Sequence, residues 1–283
     1  MAQPKLSKLS LWGDANAWKE GRAYRHPVTR EQFPSVTTVL KLVDKSALAQ
    51  WAADNAILWA IENGDMLNSR SPEAAFTAGR FAWNRVRDER AEVGTGVHET
   101  VEALHTQSWA FPVLDEEQQL IMKQWELLNE DHLIVPLLSE FTVFNKTAGV
   151  MGTADGYWEV TCLHDGPTCL GQGAGEMVLA LIDLKTSKNH WPEHDYQLAA
   201  LWGAGEWLIE TSDMVWTPEP ARHVDKVAIV HLRADKRKFI LVDSLVQNLD
   251  IFDAYAGVWY ALEAKKAKLK DDKTEVLASG FTG

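Results

Sequence analysis

The chain is poor in several features that would narrow its chemistry at once. It holds only two cysteines, Cys162 and Cys169, in 283 residues, too few for a four-cysteine zinc or cluster site. Both fall in a Gly-rich stretch and are expected to be free thiols of an intracellular chain. No apolar run approaches the roughly 20 residues that span a bilayer. The opening MAQPKLSKLSLWGD lacks an apolar segment before a small-residue cleavage site. The expectation is a cytoplasmic protein without a membrane partner. Positive charge is scarce as well: 28 Lys and Arg stand against 40 Asp and Glu, for a net charge of −12. That argues against indiscriminate polyanion binding, whose affinity comes from neutralised phosphates. It leaves room for a nucleic-acid enzyme, because carboxylates gathered around a metal add negative charge while a local basic strip guides a strand.

What is present is the composition of a globular protein, 46% hydrophobic and 24% charged, with no internal repeat or linker. The thirteen tryptophans read mainly as core residues, with a minority available to stack on bases. Trp51, Trp59 and Trp83 sit at helical spacing among apolar residues and belong to the core group.

The first half reads as helical. FPSVTTVLKLVD and SALAQWAADNAILWAIENGD are helices, the second followed by Gly64. PEAAFTAGRFAWNRVRDERAE opens with Pro72 at the first helical position and carries an apolar stripe of Ala75, Phe76, Gly79, Trp83 and Val86. Arg80, Arg85, Arg87 and Arg90 cover its other surface. GTGVHETVEALH and DEEQQLIMKQWELLNED follow as two further helices, the former with Val97, Val101 and Leu104 as its buried stripe. Then the period changes. Residues 137–145, 150–160 and 177–187 read as successive strands. A helix over 192–210, a strand pair KVAIVHLRA and KFILVDS, and a closing helix complete the chain. One α/β domain over residues 1–283 is the economical reading, with 1–135 a mainly helical wall, 136–270 the sheet and its helices, and 271–283 a flexible tail.

The polar residues that interrupt these apolar elements are His98, Glu140, Asp155, Asp183, Lys185 and Gln197. In ALIDLKTSK, Asp183 and Lys185 lie two apart, hence on one face of a strand. A structural salt bridge at a sheet end accounts for that pair by itself. Asp155, beside Gly152 and Gly156, could equally be a turn residue. If it and Asp183 converge from adjacent strands, however, they repel unless a cation sits between them. Oxygen ligands suit Mg²⁺ or Mn²⁺, and an imidazole from His98 shifts the preference toward Mn²⁺.

GTADGYWEV followed by ALIDLKTSK resembles the split acid–(D/E)xK signature of the PD-(D/E)xK nucleases. GTGVHETVEAL, SEF and DYQLAALWGAG resemble, in order, the other elements of the RecB-type exonuclease branch. FPSVTTVL is similar to a segment of phage-encoded and mitochondrial genome-maintenance exonucleases of that branch. The likeness runs from about residue 33 to 210. It implies a restriction-endonuclease-like mixed sheet flanked by helices, with a helical N-terminal part. It further implies His98, Asp155, Asp183 and the Leu184 carbonyl as metal ligands, Lys185 as catalytic base or charge stabiliser, Gln197 as an orienting residue, and Glu140 as an acid near the site. The implied activity is Mg²⁺- or Mn²⁺-dependent hydrolysis of DNA, single- or double-stranded, from its ends, in phage recombination, replication or repair. A single-strand annealing protein is the kind of partner that pathway would use, in a host bacterial cytoplasm.

Two departures stand out. The tyrosine that usually closes the glutamine motif is here Leu201, next to Trp202. The cluster cysteines of the CRISPR-associated iron–sulfur relatives are missing, so no iron–sulfur cluster is expected. Among the arginines, Arg80 and Arg87, with Lys188 beyond the catalytic strand, are the candidate DNA contacts, although such a run is often just a solvated face. Rival readings are a structure-specific endonuclease on the same fold, a catalytically silent DNA-binding module, and a metal hydrolase acting on other substrates.

Overall fold

The computed structural model describes residues 23–43, 46–65, 72–166, 169–171, 173–210 and 216–279. Its centre is a seven-stranded mixed sheet built from β3 (His132–Asn145), β4 (Val150–Cys162), β5 (Met177–Lys185), β6 (Glu206–Glu210), β7 (Trp216–Pro220), β8 (Lys226–Arg233) and β9 (Lys236–Leu241). The spatial order is β7-β6-β3-β4-β5-β8-β9. Only β5 and β8 run parallel; the other neighbours are antiparallel. A short β1 (Ala23–Arg25) and β2 (Gln32–Pro34) form a separate antiparallel pair.

Helices cover both faces. Between β2 and β3 come α1 (Val36–Val39, continued as a 3₁₀ turn over Leu40–Leu42), α2 (Ser46–Glu62), α3 (Pro72–Arg80), α4 (Ala82–His105) and α5 (Glu116–Asp131). Later come α6 (Pro192–Trp202) and α7 (Leu245–Ser279). On one face Val36 and Val39 of α1, Leu198 and Leu201 of α6, and Phe252 and Trp259 of α7 pack on Phe141, Ala154 and Leu181. On the other, Val97 and Val101 of α4 and Ile121, Trp125 and Leu128 of α5 pack on Trp158, Val160, Ile182 and Leu184. The alternation along β5 assigns the faces: Ile182 and Leu184 point toward α4, so Leu181, Asp183 and Lys185 point toward α6.

Several expectations are corrected here. The helix expected to stop near residue 93 and restart at GTGVHETVEALH is one continuous α4, and the break falls earlier, at Phe81. Gly94 and Gly96 mark close packing, not a helix end: a Cβ on Gly96 would overlap the Gln118 carboxamide, which instead bonds the Glu92 carbonyl. Gln118 also closes a capping box with Asp115 at the start of α5. Phe76 and Leu104, assigned to buried stripes, are exposed.

The helix over 192–210 ends at Trp202, and EWLIE becomes β6 because its Trp207 and Leu208 are needed in the core beside β3. β7, with Pro218 and Pro220, is a sheet-edge strand, where missing amide donors are tolerated. The segment 271–279, expected as a tail, continues α7, and 280–283 lie outside the described residues.

Cys162 and Cys169 are joined in a disulfide instead of being free thiols. The loop closes on itself through Gly175 N–H to the Cys162 carbonyl at 2.8 Å and Ala174 N–H to Asp165 at 2.7 Å. This leaves the two Cα atoms 5.7 Å apart, within disulfide reach. The free-thiol expectation followed from compartment, which carries no information about this local geometry.

Candidate metal centre

The site forms where two strands part. The β4–β5 ladder ends at Gly156 opposite Ile182, while β5 continues through Asp183 to Lys185 on β8 alone. Side chains take over the backbone groups freed there. Asp155 Oδ2 accepts the Leu184 amide at 2.7 Å. His98 Nε2, from α4, donates to the Leu184 carbonyl at 2.9 Å.

That second bond leaves His98 Nδ1 facing the acids, 3.5 Å from Asp155 Oδ2 and 4.0 Å from Glu140 Oε1. The potential ligand atoms of His98, Glu140 and Asp155 all lie within 4.8 Å of one another. One imidazole and two carboxylates form a donor set suited to Mg²⁺ or Mn²⁺, so these residues fit the metal that the resemblance implies.

The charges point the same way. Burial pushes the Asp155 carboxyl up, and the neighbouring Asp183 and Glu140 add to it, outweighing His98 and Lys185 to bring it to about 6. Burial opposes protonation of His98, but Asp155 and Glu140 prevail and hold the imidazole above its ordinary pKa. Both shifts express one demand: the pocket is short of positive charge.

Glu140 reaches the cluster by an unusual backbone. Its φ is +49°, in the left-handed region inside an otherwise extended strand. A non-glycine residue there costs about 1–3 kcal/mol and persists only where its surroundings impose it. The sequence marks Glu140 as an acid near the site but carried no signal for this backbone conformation.

Asp183 and Lys185 stand on the α6 side. Asp183 is 1% exposed; its Oδ2 meets Lys185 Nζ at 2.5 Å, and its Oδ1 accepts from Gln197 Nε2 at 3.2 Å. Burial lowers the Lys185 pKa, but Asp183 and Asp155 more than compensate, and the ammonium is held above its ordinary value. Asp183 is therefore bound to Lys185 and Gln197 and lies outside the three-residue ligand cluster. The Leu184 carbonyl is engaged by His98.

A cleft of about 1260 Å³ reaches the site at Lys185. Arg87 and Lys188 line it, as does Arg90, which pairs with Glu117 at 2.5 Å. Arg80 is not part of the lining; its guanidinium lies over the Phe81 ring at 5.5 Å. Leu201 is buried in the core, so the position that holds a tyrosine in the nucleases the sequence resembles faces away from the cleft. Tyr196, Trp191, Tyr255 and Arg233 do line it; Trp191 caps the helix that carries Tyr196, and Tyr255 and Arg233 come from distant elements that no local pattern in the sequence joins to it. Trp59 is core, as expected, whereas Trp51 borders the cleft. Compared with known proteins, the chain matches no family model and no curated protein sequence.

Proposed function

We propose that the protein is a metal-dependent deoxyribonuclease of PD-(D/E)xK type that hydrolyses DNA phosphodiester bonds from strand ends, in phage DNA recombination, replication or repair. One observation carries the reading. A three-ligand cluster of His98, Glu140 and Asp155 stands next to the ion pair of buried Asp183 with Lys185, and Lys185 borders a cleft whose lining includes Arg87, Lys188 and Arg233.

His98, Glu140 and Asp155 would hold Mg²⁺ or Mn²⁺, with Asp183 and the Leu184 carbonyl adjacent. Such an ion, when bound, polarises a phosphoryl oxygen and lowers the pKa of its water. Loading requires His98 to release the proton that Asp155 and Glu140 favour, so metal and proton compete for the same imidazole. Lys185 is held protonated by Asp183, which favours charge stabilisation on the reacting phosphate over a role as general base. Gln197 fixes the Asp183 carboxylate and so fixes the direction in which Lys185 points.

The test uses linear DNA labelled separately at its 5′ and 3′ ends, single- and double-stranded, with Mn²⁺ or Mg²⁺ and Lys185→Ala as control. Label release that disappears in the variant is expected. No release from any substrate, or release unaffected by the variant, overturns the proposal. A covalently closed circle separates exonuclease from endonuclease.

A further inference from the structure

We infer that the cleft is a track for single-stranded nucleic acid, with Trp51 and Trp191 as platforms for unpaired bases and Lys188 as a phosphate contact. The inference rests on the nuclease reading above and specifies its substrate.

The walls come from two groups of elements. Trp51 of α2 and Arg87 of α4 stand on one; Tyr196 of α6 and Tyr255 of α7 stand on the other, with Trp191 and Lys188 in the loop between β5 and α6. These aromatic residues differ from the core ones. Trp158, Trp207 and Trp125 are sealed at 1–3% exposure, whereas Trp191 is 38% exposed and Trp51 is half-buried. Trp51 is held edge-on against Trp83 with ring centroids 6.4 Å apart, and Arg87 lies over Trp83 at 5.1 Å. Tyr196 and Tyr255 lie 6.4 Å apart. Trp51, Tyr196 and Tyr255 are thus held beside the cleft, and stacking on a fixed face requires little reordering of the protein.

Charge decides between single strand and duplex. Of the cations lining the cleft, Arg87 pairs with Asp88, Arg90 with Glu117, Arg233 with Asp235 and Lys185 with Asp183. In a chain of net charge −12, that leaves little to neutralise a duplex, which carries a phosphate about every 1.7 Å of its axis. A duplex also keeps its base faces stacked inside, where Trp51 and Trp191 gain nothing from them. An unpaired strand offers a base face to each ring, and each such stack is worth about 5- to 150-fold in affinity.

The experiment is fluorescence anisotropy of the full-length protein in EDTA with a labelled single-stranded oligonucleotide and its duplex, followed by cleavage of both in Mn²⁺. We expect the single strand to bind at least about tenfold more tightly. Trp191→Ala, checked for folding by circular dichroism, should lose at least about fivefold on the single strand, and Trp191→Phe should restore most of it. Lys188→Ala should lower the salt dependence and leave the strand preference intact. Equal or tighter duplex binding overturns the track, as does single-strand affinity unchanged in folded Trp191→Ala. Duplex cleavage with no single-strand preference sinks the track and leaves the nuclease standing. Trp191-dependent single-strand binding without cleavage in Mn²⁺ or Mg²⁺ keeps the track and sinks the nuclease.

Discussion

The Asp183 carboxylate is shut away from solvent at 1% exposure, and the Lys185 ammonium meets it at 2.5 Å from two residues along the same strand. A strand turns residues i and i+2 to one face, so the pairing is local in origin. Its consequence is not local: it keeps a cation beside a cluster of acids and engages the Asp183 carboxylate apart from the His98–Glu140–Asp155 cluster. The salt-bridge reading and the catalytic reading of these two residues are compatible.

Removing one partner exposes the dependence. Lys185→Met leaves a buried carboxylate without its counter-charge, and a loss of about 3–5 kcal/mol in urea unfolding is expected. Asp183→Asn combined with Lys185→Met should recover most of that stability, since the residual polar group still accepts from Gln197. The double variant should remain inactive. Recovery of cleavage along with stability would show that Lys185 is only structural.

Asp155 gives a pH signature. Its folded pKa is raised to about 6, so ionising it opposes folding: the stability it permits is intact below its unfolded pKa and lost as pH rises through about 6. In EDTA, Asp155→Asn should be about 1–3 kcal/mol more stable than the parent at pH 8, with the difference closing toward pH 4. Mn²⁺ should raise the parent's melting temperature at pH 8 and leave that of the variant unchanged. A variant less stable than the parent at every pH would contradict this account of the site.

Glu140→Gly tests the left-handed backbone at that residue. Glycine inside a strand ordinarily destabilises, but here it releases a positive φ and removes one of the clustered negative charges. The variant should melt at or above the parent in EDTA and show a reduced shift on adding Mn²⁺. A drop of several degrees in EDTA would mean that the glutamate is retained for folding.

Gln197→Leu removes the amide that orients Asp183. A fall in cleavage rate of about 10- to 100-fold is expected, with the Mn²⁺-induced melting shift preserved because the three-ligand cluster does not include Gln197. Equal loss of both would place Gln197 in metal binding itself.

Most of the element order could be read from short-range pattern. The strands at 137–145, 150–160 and 177–187 correspond to β3, β4 and β5, and KVAIVHLRA with KFILVDS forms the β8–β9 hairpin, because short apolar runs rich in β-branched residues mark strands, and those of β5 and β8 are buried on both faces. Where the pattern misled, a distant partner was responsible. Gly94 and Gly96 read as a helix break until Thr186 is seen against the first and Gln118 filling the space at the second. EWLIE reads as helix until β3 is seen pairing with it.

The sequence by itself determined the mixed α/β class, the two faces of β5 and the placement of Asp183 beside Lys185, since each depends on residues within a few positions of one another. Only the tertiary structure decided that β4 and β5 part at Asp155 and that Glu140 turns inward through a left-handed φ. It also decided that Trp51 of α2, Tyr255 of α7, and Trp191 and Tyr196 at the start of α6 border one cleft. Those arrangements depend on which strands pair and which helices pack on them, and that is settled by burying two apolar faces at once, beyond the reach of any local period.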